Sequence, residues 1–263
     1  MESSLPPAIT RSEPRPGPRL SRPRQAAEAI KQWVMEEGWR PGHRLPTEAA
    51  LMARFGMAKS TIRESIRLLE AEGLVISRTG PGGGVFVHRV SEARAAALLS
   101  NHFYFEDLSI DDIYQIRRAL EPELAASLAG RLSEAQLSML EAAIDDSAPP
   151  AAEAGDEAAR HAASLRFHAA LAGLSDNPLL RFVIRFLAEM LSEVTVSRGL
   201  HSATDPALWE TGLAYQTRVV AALRAGETEK ARAAMSKHMT TAHRLMRARE
   251  ATVRRRMLRD SGH

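Results

Sequence analysis

A short run of polar and basic side chains in the first third of the chain has the residue types that read DNA. The run comprises Lys59, Ser60, Thr61 and Arg63. Arginine can bond guanine O6 and N7, lysine can do the same or contact phosphate, and the hydroxyls can donate to phosphate. The competing interpretation of Arg63 is an ion pair within its own helix. No residue three or four positions from it is acidic, which favours the DNA contact.

The flanking residues predict the elements that would present this run. One helix is expected from about residue 23 to 37, a second after an N-cap at Thr47, and a third from near Ala58. Gly56 supplies the break between the second and third helices. This is the pattern of a helix-turn-helix, which places the start of its last helix in a major groove.

A predicted hairpin follows the third helix and completes a winged module. Strands at 75–77 and 85–87 flank a glycine-rich tip, whose small residues allow close approach of backbone amides to a phosphate. We expect Thr79 and Gly80 to lie at the minor groove. Arg44, at the beginning of the module, is expected to contact phosphate.

The charge distribution separates this module from the segment that follows. Residues 22–90 carry eleven basic and seven acidic side chains, whereas residues 106–153 carry three and eleven. The first segment suits a polyanion and the second would repel it. The chain has no cysteine, which excludes disulfides and thiolate metal sites, and no apolar run approaches the roughly 18 residues of a membrane span. We therefore expect a cytoplasmic protein without a membrane partner.

Beyond residue 90 the periodicity is helical throughout, and no strand pattern occurs. The predicted helices are 91–101, 109–130, 133–147, 156–174, 178–198, 206–225 and 228–256. Pro122 is expected to kink or split the second of these. The predicted fold class is mainly α, with an N-terminal winged helix-turn-helix followed by an all-helical bundle as effector domain.

These features predict five segments along the chain. They are a disordered arm at 1–21, the winged helix-turn-helix at 22–89, a linker helix at 90–105, an all-helical domain at 106–250, to which the resemblance described next assigns effector binding and dimerisation, and a basic tail at 251–263.

The chain resembles the GntR family of bacterial transcription regulators. The matching residues are PGHRLPTEAAL, the block 60–64, LEAEGLV and GPGGGVFV. The second domain resembles the FCD effector domain of the FadR-like branch, through residues 117–121, Phe167-His168, 175–178 and ALRAGETEKARAAMSKHM. The resemblance implies a homodimer on a pseudo-palindromic operator of double-stranded DNA. It also implies that a small metabolite, often a carboxylic acid, binds the bundle and alters DNA binding through reciprocal coupling. We expect a repressor.

The resemblance also implies where a ligand or a metal would sit. Many relatives hold a divalent metal at four positions, which here read Ser164, His168, Gln216 and His238. Only His168 and His238 remain as metal ligands, so we expect no cofactor and a metal-free effector pocket. In that pocket, Arg117 would neutralise a carboxylate. The alternatives are ordinary packing of both histidines and an internal ion pair of Arg117 with Glu121.

Two other classes of function remain open. An enzyme is disfavoured because the chain shows no nucleophile and base pair, no complete metal set and no glycine-rich nucleotide loop. A DNA binder that has lost its effector response is the other, and the reduced metal-ligand set favours it.

Overall fold

The computed structural model describes residues 20–106, 108–146, 157–200 and 206–260. Within these ranges the chain forms ten helices and a two-stranded sheet. It divides into two compact units, with the boundary after Arg94. No helix among the described residues is long and apolar enough to cross a membrane. The five predicted segments were assigned roles as well as bounds, and this division into compact units does not test them, so they stay predictions.

The first unit contains three helices and the hairpin. The elements are α1 (Arg22–Glu36), α2 (Glu48–Phe55), α3 (Lys59–Ala71), β1 (Val75–Arg78) and β2 (Gly84–Val87). The strands are antiparallel, and Val75 pairs with Val87 while Arg78 pairs with Gly84. Ile30 of α1 and Ile62 of α3 lie fully buried in the shared core. The predicted helix-turn-helix with its wing is confirmed.

Local signals explain where α2 and α3 begin and end. The Thr47 hydroxyl accepts a hydrogen bond from the amide of Ala50, as the predicted N-cap should. Gly56 adopts φ 62°, a left-handed conformation that glycine reaches without steric cost, and it ends α2. Ala58 is the N-cap residue of α3 and offers no side-chain hydrogen bond. The first amides of α3 therefore have no capping side chain.

The second unit is helical throughout its described residues. Its elements are α4 (Glu92–Tyr104, which begins in the first unit), α5 (Ile110–Leu128), α6 (Glu134–Asp145), α7 (Glu157–Gly173), α8 (Pro178–Ser197), α9 (Pro206–Arg224) and α10 (Thr228–Asp260). Helix α5 packs against α8 and α10, while α7 packs against α6, α8 and α9. Two apolar clusters fill the bundle, one around Phe167 and the other around Leu191.

Pro122 does not split α5, which is continuous from Ile110 to Leu128, so this part of the expectation was wrong. Proline removes one helical hydrogen bond, but the flanking residues Glu121 and Leu124 are buried and hold the segment in place. The last helix is longer than predicted and continues through Asp260, with Val253 buried. Most of the predicted arm (1–19) and the last three residues of the predicted tail lie outside the described residues.

Candidate functional site

The leading end of α3 presents the polar run that the sequence singled out. Lys59, Ser60 and Arg63 are exposed and Thr61 is partly buried. Ile62, on the other face of the helix, is fully buried and anchors it in the core. The structure thus brings these four side chains together on one solvent-facing helix end, beside amides that lack a capping side chain.

Arg63 has an acidic partner that the sequence analysis missed. Its Nε lies 2.9 and 3.1 Å from the two carboxylate oxygens of Glu48, in the first turn of α2. The spacing rule applies to acids within α3 only, and Glu48 lies 15 positions earlier in the chain. The turn of the helix-turn-helix brings the two residues together, so no spacing rule for a single helix could have found the pair.

Arg44 lies against the second strand of the wing and against Gly83 in the tip loop. Its Nη2 donates to the carbonyl oxygen of Gly83 at 2.5 Å, and its backbone forms an isolated β-bridge with Phe86. Thr79 and Gly80 are exposed at the tip, where Gly80 adopts φ 89°. Arg44 therefore braces the wing in addition to being exposed, and its expected phosphate contact stays a prediction.

A buried polar network occupies the interior of the helical unit. Arg117 Nε lies 2.5 Å from Glu121 Oε1, and Glu121 Oε2 lies 2.5 Å from His168 Nδ1. His168 Nε2 lies 3.2 Å from His238 Nε2. All four side chains are almost completely shielded from solvent. The network links α5, α7 and α10 through charged and polar groups, in addition to the apolar cluster that these helices share.

The charges of this network are set by burial and by Arg117. Burial acts to raise the pKa of the Glu121 carboxyl, but the charge of Arg117 and the hydrogen bonds from Arg117 and His168 lower that pKa to about 2. Burial lowers the pKa of His168 below its ordinary value and the pKa of His238 well below it. At neutral pH the network therefore consists of a charged Arg117–Glu121 pair and two neutral imidazoles.

These charges determine which imidazole nitrogens carry protons. The ionised Glu121 can only accept, so His168 must donate from Nδ1 and its Nε2 is left with a lone pair. The contact between the two Nε2 atoms then requires His238 to donate from Nε2. Glu121 is therefore the residue that orders the network.

Ser164 and Gln216, the other two positions tied to the pocket, contact each other. Gln216 Nε2 lies 3.1 Å from Ser164 Oγ and 3.3 Å from the Ser164 carbonyl oxygen. A carbonyl can only accept, so the amide nitrogen faces Ser164 and the buried Gln216 Oε1 points elsewhere. Neither Gln216 Oε1 nor Arg117 Nη2 has a hydrogen-bond partner among the described residues. One buried acceptor and one buried donor therefore have no partner among these residues.

The donor set at these positions offers a metal little. In the described ranges, no group of three or more His, Cys, Asp or Glu side chains is placed to hold a metal ion. Ser164 and Gln216 are neutral and bonded to each other, and the two imidazoles are engaged with each other. Structural and catalytic zinc sites use three or four ionic or imidazole ligands. These positions supply two imidazole ligands, fewer than such sites use, and the metal-free pocket stays a prediction.

Two further residues lie near the buried network, His161 being only partly buried, although sequence reasoning did not single them out. The Tyr114 ring lies 5.2 Å from the Arg117 guanidinium carbon. His161 Nε2 lies 3.3 Å from the Thr195 hydroxyl, and burial lowers the His161 pKa to about 4. His161 lies seven positions before His168 on α7, so the two-turn spacing was a readable signal.

Comparison with known proteins assigns each unit to a recognised domain. Residues 23–87 match the family described as bacterial regulatory proteins, gntR family, and residues 112–241 match the FCD domain. The matches cover the helix-turn-helix with its wing, and the helices that carry Arg117, Glu121, His168, Gln216 and His238.

Curated relatives match across both domains. LutR of Bacillus subtilis is 28% identical over 207 residues, which span 76% of this chain and 90% of LutR. The Uxu operon transcriptional regulator of Escherichia coli is 26% identical over 229 residues, or 83% of this chain and 84% of the relative. The transcriptional repressor NanR of Salmonella schwarzengrund is 25% identical over 238 residues, or 86% and 85%.

A solved structure supports the fold independently. Streptococcus agalactiae GntR superposes with a TM-score of 0.58 at 22% identity, covering 84% of this chain and 99% of that protein. The chain therefore belongs to the GntR family of DNA-binding transcriptional regulators. Its winged helix-turn-helix domain is joined to an FCD domain, as in the FadR-like branch of that family.

Proposed function

We propose that the protein is a ligand-responsive repressor that binds a pseudo-palindromic operator as a homodimer in the bacterial cytoplasm. The observation that carries this proposal is the solvent-facing helix end of α3, with Lys59 and Arg63 exposed above a buried apolar face. A two-fold pair of such helix ends matches two half-sites in successive major grooves. The similarity to NanR, a transcriptional repressor, supports the direction of regulation.

Base recognition rests mainly on Arg63, with Lys59 beside it. An arginine that pairs with guanine discriminates by about 1–3 kcal/mol against other bases. Ser60 and Thr61 are assigned to phosphates near the helix start, Arg44 to phosphate beside the wing, and Thr79 with Gly80 to the minor groove.

The proposed effector is a small organic acid that binds in the FCD domain without a metal. Arg117 Nη2 supplies a buried donor for one carboxylate oxygen, and Gln216 Oε1 supplies a buried acceptor for a hydroxyl or amino group of the same molecule. His168 and His238 lie on the same network and would sense the added charge. An acid that favours one conformation of the dimer changes operator affinity by reciprocal coupling.

A second candidate is a regulator that does not respond to an effector. The observation that favours it is the 2.5 Å contact between Arg117 and Glu121, because this pair already neutralises the guanidinium charge. A ligand carboxylate would then have to share Arg117 with Glu121. The two candidates differ in whether any organic acid stabilises the folded protein.

The DNA-binding part of the proposal is tested with Arg63→Ala. An operator is first selected from a pool of random duplexes with the wild-type protein, and dissociation constants are then measured by fluorescence anisotropy for this operator and a scrambled duplex. We expect Arg63→Ala to lose about tenfold to a hundredfold of operator preference, because the guanine contact is removed. Equal preference in the variant and the wild type would contradict the assignment.

The effector part is tested by thermal unfolding with a panel of small organic acids. An acid that binds the folded state at a hundredfold excess over its dissociation constant adds about 2.7 kcal/mol to the free energy of unfolding and raises Tm. Gln216→Leu should reduce this rise for acids that carry a hydroxyl or amino group. No rise with any acid would favour the effector-independent candidate, and stoichiometric zinc or nickel by elemental analysis would contradict the metal-free site.

A further inference from the structure

The contact between Glu48 and Arg63 joins an acidic residue to the side chain that the proposed function places on DNA. Glu48 opens α2, and both of its carboxylate oxygens accept from Arg63 Nε. The two side chains are partly exposed, at 40% for Glu48 and 57% for Arg63. An exposed pair of this kind adds little to folding stability, so its geometry matters more than its energy in the free protein.

The contact uses only one part of the guanidinium. Nε is occupied, and within the described ranges neither terminal nitrogen of Arg63 has a hydrogen-bond partner. The guanidinium is planar and rigid, so fixing Nε also fixes the direction of the two terminal nitrogens. Two parallel donors from such a planar group are what guanine O6 and N7 accept. Glu48 thus restricts the orientations of the group that would read the base.

The same contact has an opposite effect on binding to arbitrary DNA. Affinity for any duplex depends on positive charge near phosphates, and Glu48 places a negative charge beside Arg63. The pair is neutral as a whole, so Arg63 contributes less to sequence-independent binding than a lone arginine would.

We propose that Glu48 is a positioning residue that holds Arg63 for base recognition and suppresses binding to non-operator DNA. Glu48 determines specificity through Arg63 and does not itself touch a base. This inference rests on the proposed function as a sequence-specific DNA-binding protein.

The test compares Glu48→Ala with the control Glu64→Ala, which removes the same charge elsewhere in the same domain. Glu64 lies on α3 next to Arg63 in sequence, pairs with Arg67 at 3.3 Å, and makes no hydrogen bond or ion pair with Arg63. Dissociation constants are measured for the selected operator and a scrambled duplex at several salt concentrations. Thermal unfolding monitors whether α2 keeps its fold when its first-turn acid is removed.

Both substitutions should tighten binding to the scrambled duplex, because each removes one negative charge. Only Glu48→Ala should lower the ratio of operator to scrambled affinity, by about tenfold, because only it releases Arg63. Glu48→Gln retains an acceptor oxygen for Nε and should give an intermediate ratio. An unchanged or increased ratio in Glu48→Ala would overturn the proposal.

A double-mutant cycle separates positioning from a general effect on the surface. In the Arg63→Ala background, Glu48→Ala should leave the affinity ratio unchanged, since no arginine remains to be held. If Glu48→Ala lowered the ratio of operator to scrambled affinity as much in the Arg63→Ala background as in the wild type, Glu48 would act independently of Arg63. If the wild type itself shows no preference for any duplex, the proposed function fails instead, which is a distinguishable result.

Discussion

Each domain contains an arginine held by a glutamate, and solvent exposure gives the two pairs different consequences. The Arg63–Glu48 pair is partly exposed, whereas Arg117 and Glu121 have 2% and 1% of their side-chain surface exposed. Water screens the first pair, so the pair adds little to stability, and its contact through Nε leaves the terminal nitrogens of Arg63 available to DNA. The second pair has lost its hydration, and either charge would be left uncompensated without the other. The exposed pair is suited to DNA recognition, and the buried pair holds the interior of the helical domain together.

Removing the carboxylate of the buried pair should therefore be costly. Glu121→Gln leaves the buried Arg117 charge without its counterion and also removes the acceptor that orders His168. We expect the free energy of unfolding at pH 7 to fall by about 3–5 kcal/mol, measured by urea titration followed by circular dichroism.

A nearby glutamate serves as the control for this substitution. Glu123, two positions later on α5, is exposed and pairs with Arg232 at 2.8 Å. Glu123→Gln should change the free energy of unfolding little, because the Glu123 carboxylate and the Arg232 guanidinium are both hydrated in the fold. Equal losses in Glu121→Gln and Glu123→Gln would contradict the role assigned to the buried pair.

At the scale of elements, the sequence predicted a helix end correctly wherever neighbouring residues cap the helix or begin it. The Asn177 side chain accepts from the amides of Leu179 and Leu180, and Pro178 follows it at the first position of α8, as the motif predicts. Pro122 was misleading because tertiary burial holds α5 together across it. The residue pairs that join different helices, Glu48 with Arg63 and Glu121 with His168, depend on packing between elements, which no periodicity along one helix contains.

Helix α7 and its neighbours bury neutral imidazoles, which predicts acid sensitivity of the helical domain. Burial lowers the His161 pKa to about 4, so between pH 6.5 and 4 the unfolded chain binds a proton that the folded chain does not. The free energy of unfolding should therefore fall as the pH is lowered from 6.5 to 4. Glu121, with a pKa of about 2 in the fold, adds a further loss below about pH 4.3, where the unfolded carboxyl takes up its proton.

Urea titrations at pH 7.5, 6.0 and 5.0 measure this dependence. His161→Gln should make the dependence shallower, because the variant has no imidazole to protonate at this position, while His168 and His238 keep their lowered pKa values. The control variant is His102→Gln, which removes an exposed imidazole from α4. A His161→Gln slope as steep as that of the wild type would contradict the assignment of acid sensitivity to His161.

At the scale of the whole molecule, the basic and acidic segments fall in different domains, in agreement with separate roles in DNA binding and effector binding. The basic segment 22–90 contains the helix end that faces solvent, and the acidic segment 106–153 belongs to the domain that buries its polar network. Domain identity could be predicted from the sequence because motifs such as PGHRLPTEAAL and GPGGGVFV are specific. The effector could not, because the buried donor and acceptor atoms become visible only when the helices are assembled.

The stoichiometry of the complex on selected operator DNA tests the central claim most directly. Light scattering coupled to size exclusion gives the mass of the complex, and base-edge methylation of the same duplex locates the protected guanines. The proposed function predicts two chains per duplex, with protected guanines in two major-groove half-sites related by two-fold symmetry and lost in Arg63→Ala. A single chain per duplex, or protection unchanged by Arg63→Ala, would contradict it.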